Sequence, residues 1–228
     1  VTVLPFNVRF EAAARFFAAK VPLQRAEFDR LADWAKIRAF TAAKVTAARA
    51  LQGVMDAVQD AIDEGLTFGD FYELLDDVLD VNVSRAYAEL VLRNNTQSAY
   101  GSGRWDEQRA QRDDFPYLLL DEVDDERTRV SHRAQDGTVK PIGDPYWRTH
   151  YPPWGHNCRG HAASLTEGEA RSIGISPTNI LDGGENEEGF TSPGASEMYH
   201  PDLSTLDPTI RASVQRALRD FNPRGIAD

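Results

Sequence analysis

The sequence is poor in residues that would settle several questions at once. It has one cysteine, Cys158, so no internal disulfide can form, which is consistent with folding in a reducing cytoplasm. No window approaches the ~18 consecutive apolar residues that a membrane-spanning helix needs. The opening VTVLPFNVRF has no basic stretch followed by an apolar one, so no signal peptide is expected. Basic residues are also short: 25 Lys and Arg stand against 36 Asp and Glu, a formal charge of −11. That balance opposes non-specific binding to nucleic acid, whose affinity comes from cations neutralising phosphates. No internal repeat is visible.

What is present fits a soluble globular chain. The 228 residues suffice for one large domain or two small ones, and 41% hydrophobic with 27% charged residues is ordinary. Phe10, Ala13, Phe17 and Val21 share one face of a helix expected over 7–21, which Pro22 stops. A second helical stretch from Gln24 turns Phe28, Leu31 and Ala35 inward. Residues 41–64 read as the longest regular segment, with Val45, Ala48, Leu51, Met55, Val58 and Ile62 in register and Gly65 as its stop. Thr67 with Asp70 forms a capping box for the next helix. Ser84 caps another, running towards Arg112.

That last helix carries a polar strip, Asn94 to Ser98, in place of apolar residues. A solvent face is the first reading of such a strip. The second is a hydrogen-bonding face against the downstream chain. Beyond Phe115 the composition changes. Tyr117–Leu120 and Arg159–Leu165 read as strands. A short helix is expected from Asp125 to about Ala134, and another from Glu167 to Ile173, capped by Thr166. Residues 176–206 are loop-rich, and Asp207-Pro208 opens a final helix. The fold class is therefore α+β. A mainly helical N-terminal half with long amphipathic helices (1–114) precedes a small α+β C-terminal module (115–228) with short strands, a covering loop and a last helix.

The chemistry concentrates between Asp124 and His161. That stretch holds four of the five histidines, the sole cysteine and two of the four tryptophans. Its prolines and glycines bar a long helix, so side chains must hold it. His132, His156, Cys158 and His161 could supply a zinc shell, although no CxxC pair or HExxH helix supports one. Asp121, Glu122, Asp124, Asp125 and Glu126 could hold magnesium with His132 as a base. A run of acids at a helix N-terminus is the commoner meaning, since the helix dipole favours it. A Cys158 nucleophile would need a base and an oxyanion hole, and the sequence offers no sign of the latter. Arg104, Arg109, Arg112, Arg127, Arg129 and Arg133 are interleaved with acids, which reads as a salt-bridged face. The rings and prolines from Pro145 to Trp154 suit a compact core or an interface anchor.

At these residues the chain resembles a known family. DDERTRVSHRAQDGTV, DPYWRTHYPPWGHNCRG and SLTEGEARSIGI resemble the signature of the phage Mu F-like minor head proteins, the phage head morphogenesis family. PFNVRFEAAARFFAAKVPL, AIDEGLTFGDFYELLDDV, RNNTQSAYGSGRWDE and GFTSPGAS resemble its other segments. The motif positions carried over are Asp125, Arg127, Arg129, Asp136, Gly137, Trp147, Pro152, Pro153 and Arg159, as structural residues. One departure stands out: Gly160 replaces the second cysteine of the C-[RK]-C strand that family members often carry. The resemblance implies a non-enzymatic minor head protein of a tailed phage or phage-like particle. It would be made in the host cytoplasm and located in the virion, in the capsid interior or at the portal vertex. Residues 1–114 would dock on the portal protein or the major capsid protein, with indirect contact to packaged DNA, no membrane and no required cofactor. Roles in DNA packaging or ejection follow from the same likeness. The competing reading is a metal-dependent nuclease or injected effector enzyme using His132, Asp125 and the Cys/His cluster.

Overall fold

The computed structural model describes residues 10–31, 36–42, 45, 47–79, 84–177 and 190–194. The final helix expected after Asp207, and most of the covering loop, lie outside them. Helix α1 (Glu11–Ala18) leads into the two-residue strand β1 (Val21–Pro22). After α2 (Arg25–Phe28) comes β2 (Ala39–Phe40), which runs parallel to β1 with Val21 opposite Ala39. Val21 and Pro22 thus belong to a strand, and the expected helix over 7–21 ends early, because extended pairing captures its last residues. Three longer helices follow: α3 (Ala48–Glu64), α4 (Phe68–Val78) and α5 (Arg85–Ala110).

Local signals set these boundaries. Gly65 ends α3 in the left-handed conformation at φ 66°, which costs glycine nothing. Thr67 and Asp70 close the capping box, and the Ser84 hydroxyl accepts from the Tyr87 amide. Among the described residues the longest helix is α5, at 26 residues against 17 for α3. It runs close to the expected span from Ser84 towards Arg112 and outlasts the segment read as the longest, because residues before Ala48 do not join α3. Ala13, Phe16, Phe17, Val54, Val58, Ile62, Phe71, Leu75, Ala88 and Ala99 bury one common core from α1, α3, α4 and α5. Among the described residues, no helix is long and apolar enough to cross a membrane.

One cation is buried with this core. The Lys20 ammonium donates to the carbonyls of Ile37, just before β2, and Ala39, on β2, at 2.9 and 3.4 Å. Burial first, and the neighbouring Arg38 second, lower its pKa to about 7. The unfolded chain keeps that proton to about pH 10.4. Between these limits the unfolded state binds more protons, so stability should rise as pH rises from 7 towards 10. Urea unfolding at pH 7 and pH 9.5 should show the midpoint moving up. A flat profile, or one unchanged in Lys20→Met, would refute the assignment.

The second half is organised on β3 (Tyr117–Asp121), the middle strand of an antiparallel sheet with order β4-β3-β5. Its partners are β4 (Val139–Pro141) and β5 (His161–Leu165), with Leu119 opposite both Val139 and Ala163. Strand alternation sends Leu118 and Leu120 to one face, against Trp105, Ile142, Tyr146, Trp147, Tyr151 and Ala162. The other face, Tyr117 and Leu119, packs with Val139, Leu165 and Ala170 of α8 (Glu167–Ile173). Between the strands lie two single helical turns, α6 (Val130–Arg133) and α7 (Trp147–His150). The helix expected from Asp125 begins only at Val130. The Asp125 carboxylate instead accepts from the Arg127 amide and closes a tight turn.

Helix α5 serves both cores. Gly103 lets it approach α1 so closely that a Cβ there would lie 2.7 Å from the Ala13 nitrogen. Gly101 does the same towards the Pro152 carbonyl, at 2.6 Å. Trp105 then enters the second core, edge-on to Tyr151 at 4.7 Å between ring centroids. The Gln108 side chain donates to the Ala162 carbonyl and accepts from the Tyr151 hydroxyl.

Candidate functional site

Alternation along β3 does not stop at its last paired residue. Leu118 and Leu120 point inward, Asp121 outward, and Glu122 inward again, 7% exposed. Its backbone amide is fixed by the Asp136 carboxylate at 2.8 Å. Asp136 belongs to a turn in which Gly137, at φ 75°, donates its amide to Leu120. The Asp-Gly pair therefore positions the buried carboxylate. The turn from Arg129 brings in His132, and the chain after the cis Pro152-Pro153 peptide brings in Trp154 and Cys158.

These side chains meet. Glu122 Oε1 lies 3.2 Å from His132 Nδ1, and Cys158 Sγ lies 3.7 Å from the same nitrogen. The Trp154 indole stacks on the imidazole at 3.8 Å and donates its N–H to Glu122 Oε1 at 3.3 Å. Arg129 holds the far side: one guanidinium nitrogen is 2.8 Å from His132 Nε2, another donates to the His156 carbonyl at 2.7 Å. Arginine can only donate, so Nε2 accepts and the ring proton sits on Nδ1, facing Glu122. Burial, with the Glu122 charge second, pushes the Cys158 thiol up to about 11, and the backbone at Trp154 and Gly160 pulls the other way.

That arrangement is not an activated nucleophile. A thiol–imidazole relay needs the thiol on one ring nitrogen and the orienting carboxylate on the other. Here both face Nδ1, and the thiol keeps its proton at neutral pH. The acidic run does not form a magnesium cluster either. Asp121 faces His161 at 3.4 Å, Asp124 faces Arg133 at 3.4 Å, and Asp125 takes a two-pronged contact from Arg159 at 2.5 and 2.6 Å. The Arg159 hydrogen bonds hold the Asp125 carboxyl well below the usual carboxylate range.

Of the four residues offered as zinc ligands, the fold brings together only His132 and Cys158. His156 is spent elsewhere: its Nδ1 takes the Asn94 amide at 2.9 Å, and its ring meets Phe190 edge-on. His161 is half-exposed beside Asp121. Among the described residues, the one group of three His, Cys, Asp or Glu donors close enough for a single ion is Glu122, His132 and Cys158. Glu122 is concealed in an acidic run, yet the alternation Leu118, Leu120, Glu122 marks it as inward-facing. The Gly160 departure also acquires a physical meaning, because a Cβ there would stand within 2.6 Å of both Glu122 carboxylate oxygens. The carboxylate fills the space a side chain at 160 would need.

A cleft of about 500 Å³ lies over this group, walled by Ala86, Glu89, Leu90 and Arg93 of α5 and by Arg127, Thr128, Arg129 and Arg159. Asn94 bridges its rim, since its side chain also accepts the Asn157 amide at 2.9 Å. At that residue the polar strip of α5 is therefore a hydrogen-bonding face and not a solvent face. Trp147 is buried and donates its indole N–H to the Pro141 carbonyl at 2.9 Å. Gly194 lies against that turn: a Cβ there would collide with the Trp147 carbonyl, and the buried Ser192 hydroxyl donates to the Trp147 and Tyr151 carbonyls at 3.2 and 2.8 Å.

Residues 52–163 match the family described as Phage Mu protein F like protein, a span from within α3 to β5 that includes every residue of the buried group. Over 220 residues the chain is 29% identical to the putative capsid assembly protein F of Escherichia phage Mu, covering 86% of this chain and 50% of that protein. Over 163 residues it is 32% identical to the Mu-like prophage FluMu F protein of Haemophilus influenzae, covering 64% and 39%. The chain thus spans half or less of the length of these curated relatives. No solved structure matches it.

Proposed function

We propose that this Mu F-like protein acts in phage head morphogenesis, as a minor head protein that docks on the portal or the capsid shell. The observation that carries the reading is the family match across 52–163, which takes in both the α5 spine and the buried group. The name of the phage Mu relative, a capsid assembly protein, points the same way. The geometry is compatible with a structural role, because the buried and half-buried polar residues around Glu122 are tied to one another. Asp125 and Arg159 pair, His132 is enclosed by Glu122, Arg129 and Trp154, and Asn94 closes onto His156 and Asn157. Packaged DNA would be met at most indirectly, given a formal charge of −11.

Co-expression with the portal protein and the major capsid protein of the same phage or prophage tests this reading. The protein should co-purify with one of them and be incorporated into assembled heads. Failure to associate with either, together with normal heads formed in its absence, would refute it.

A further inference from the structure

We propose that Glu122, His132 and Cys158 form a three-ligand site for a zinc-like divalent cation, with its fourth position open to the overlying cleft. The first support is metrical. With bonds of about 2.0 Å to nitrogen and oxygen and 2.3 Å to sulfur, a tetrahedral ion sets its ligands about 3.3 Å apart for N···O and about 3.6 Å for N···S. The corresponding separations are 3.2 Å and 3.7 Å. The three donor atoms all lie within 4.8 Å of one another. The second support is charge and access. A carboxylate and a thiolate would neutralise a dication in a buried position, where either anion alone is costly. All three residues line the cleft, which leaves room for water as the fourth ligand. The ion would join Glu122 at the end of β3, the α6 turn and the segment after the paired prolines, beyond the last pair of the β3–β5 ladder, Asp121 with His161.

Loading has a defined proton balance. Cys158 gives its thiol proton to solvent as the sulfur binds. His132 must ligate through Nδ1, so its ring proton moves from Nδ1 to Nε2. Arg129 now points a donor at Nε2. That contact stabilises the metal-free form and must swing away when the ion binds. Arg129 therefore tunes the affinity without touching the ion, by opposing the loaded tautomer.

The test uses the full chain, stripped with chelator and titrated with Zn(II), and with Co(II) as the spectroscopic probe. One equivalent should bind, and cobalt should give a thiolate charge-transfer band. Cys158→Ser should abolish the band. Glu122→Ala should weaken zinc by more than the roughly 10–100-fold typical of changes to residues that only support a ligand. Arg129→Gln offers an acceptor to the Nε2 proton and should tighten zinc by about tenfold. Should Glu122→Ala fail to fold, the double variant Glu122→Ala/Gly160→Cys supplies a thiol from the space the carboxylate leaves and should restore the cobalt band. Absence of stoichiometric binding by the folded wild-type chain would overturn the proposal. So would binding that survives Cys158→Ser, which would place the ion on surface histidines, or an Arg129→Gln variant that binds more weakly.

Discussion

Gly103→Val should leave little folded protein at 37 °C. Two glycines two residues apart, in the middle of a 26-residue helix, run against helix propensity, since each costs about 1 kcal/mol relative to alanine. Close approach explains both. A Cβ at 103 would stand 2.7 Å from the Ala13 nitrogen and 2.8 Å from the Ala12 carbonyl carbon. Those are backbone atoms of α1, which cannot rotate aside as a side chain can. The helix would have to translate, and it carries Phe16 and Phe17, both fully buried, with it. Overpacking costs about 1–3 kcal/mol when side chains can adjust. Moving a helix off the core should exceed that range. Gly103→Ala gives the sharper test, because propensity and packing predict opposite signs. Propensity alone says about 1 kcal/mol more stable. We expect a loss instead, read from urea midpoints, and a gain would refute the close-packing account.

Trp105→Ala should cost about 3–5 kcal/mol, the range for emptying a large aromatic site in a packed core. Against a typical total of roughly 5–15 kcal/mol, that is enough to unfold a marginal domain. Trp105 is 1% exposed and sits among Leu118, Leu120, Tyr146, Trp147 and Tyr151. It is the one residue of α5 in that cluster, so it is the main apolar link between the long helices and the sheet. Its loss should therefore change cooperativity as well as midpoint. Tryptophan fluorescence, to which Trp147 and Trp154 of the second half contribute, and far-ultraviolet dichroism, which follows the helices, should separate into two transitions. Trp105→Phe keeps most of the ring and should stay close to wild type. A single, nearly unshifted transition for Trp105→Ala would show that Gln108 and Gly101 suffice to couple the two cores.

Elements set by near-neighbour interactions are legible in the order of residues. The spacing of Leu51, Val58 and Ile62, the Thr67, Ser84 and Thr166 caps and the Gly65 stop all act between residues about one or two helical turns apart. Strands β3 and β5 are legible because apolar runs stand between proline, glycine and acidic residues. Strand β4 is not, since Val139-Lys140-Pro141 pairs a buried lysine with a proline. The lysine is tolerated because its ammonium reaches the Pro177 carbonyl at 2.6 Å, a partner 37 residues away. The two-residue strands β1 and β2 have no pattern long enough to detect. Asp125 reads as a helix start, but its carboxylate is taken by the Arg127 amide and by Arg159, 34 residues away, and the helix begins at Val130.

The candidate site divides the same way. Residue order alone shows that chemistry-bearing side chains crowd between Asp124 and His161, with His132 and Cys158 among them. Packing in three dimensions makes Glu122 complete their group and leaves His156 and His161 outside it. The reason is range. Periodicity and capping are contests among residues one to four apart, and local sequence records their outcome. The group joins residues separated by 10 and 26 positions, through a strand that continues its alternation one step past its last pair. An acidic residue at that step is exposed surface or a buried carboxylate according to what packs above it. Here the packing comes from Trp154 and from a glycine at 160 that leaves the carboxylate its space.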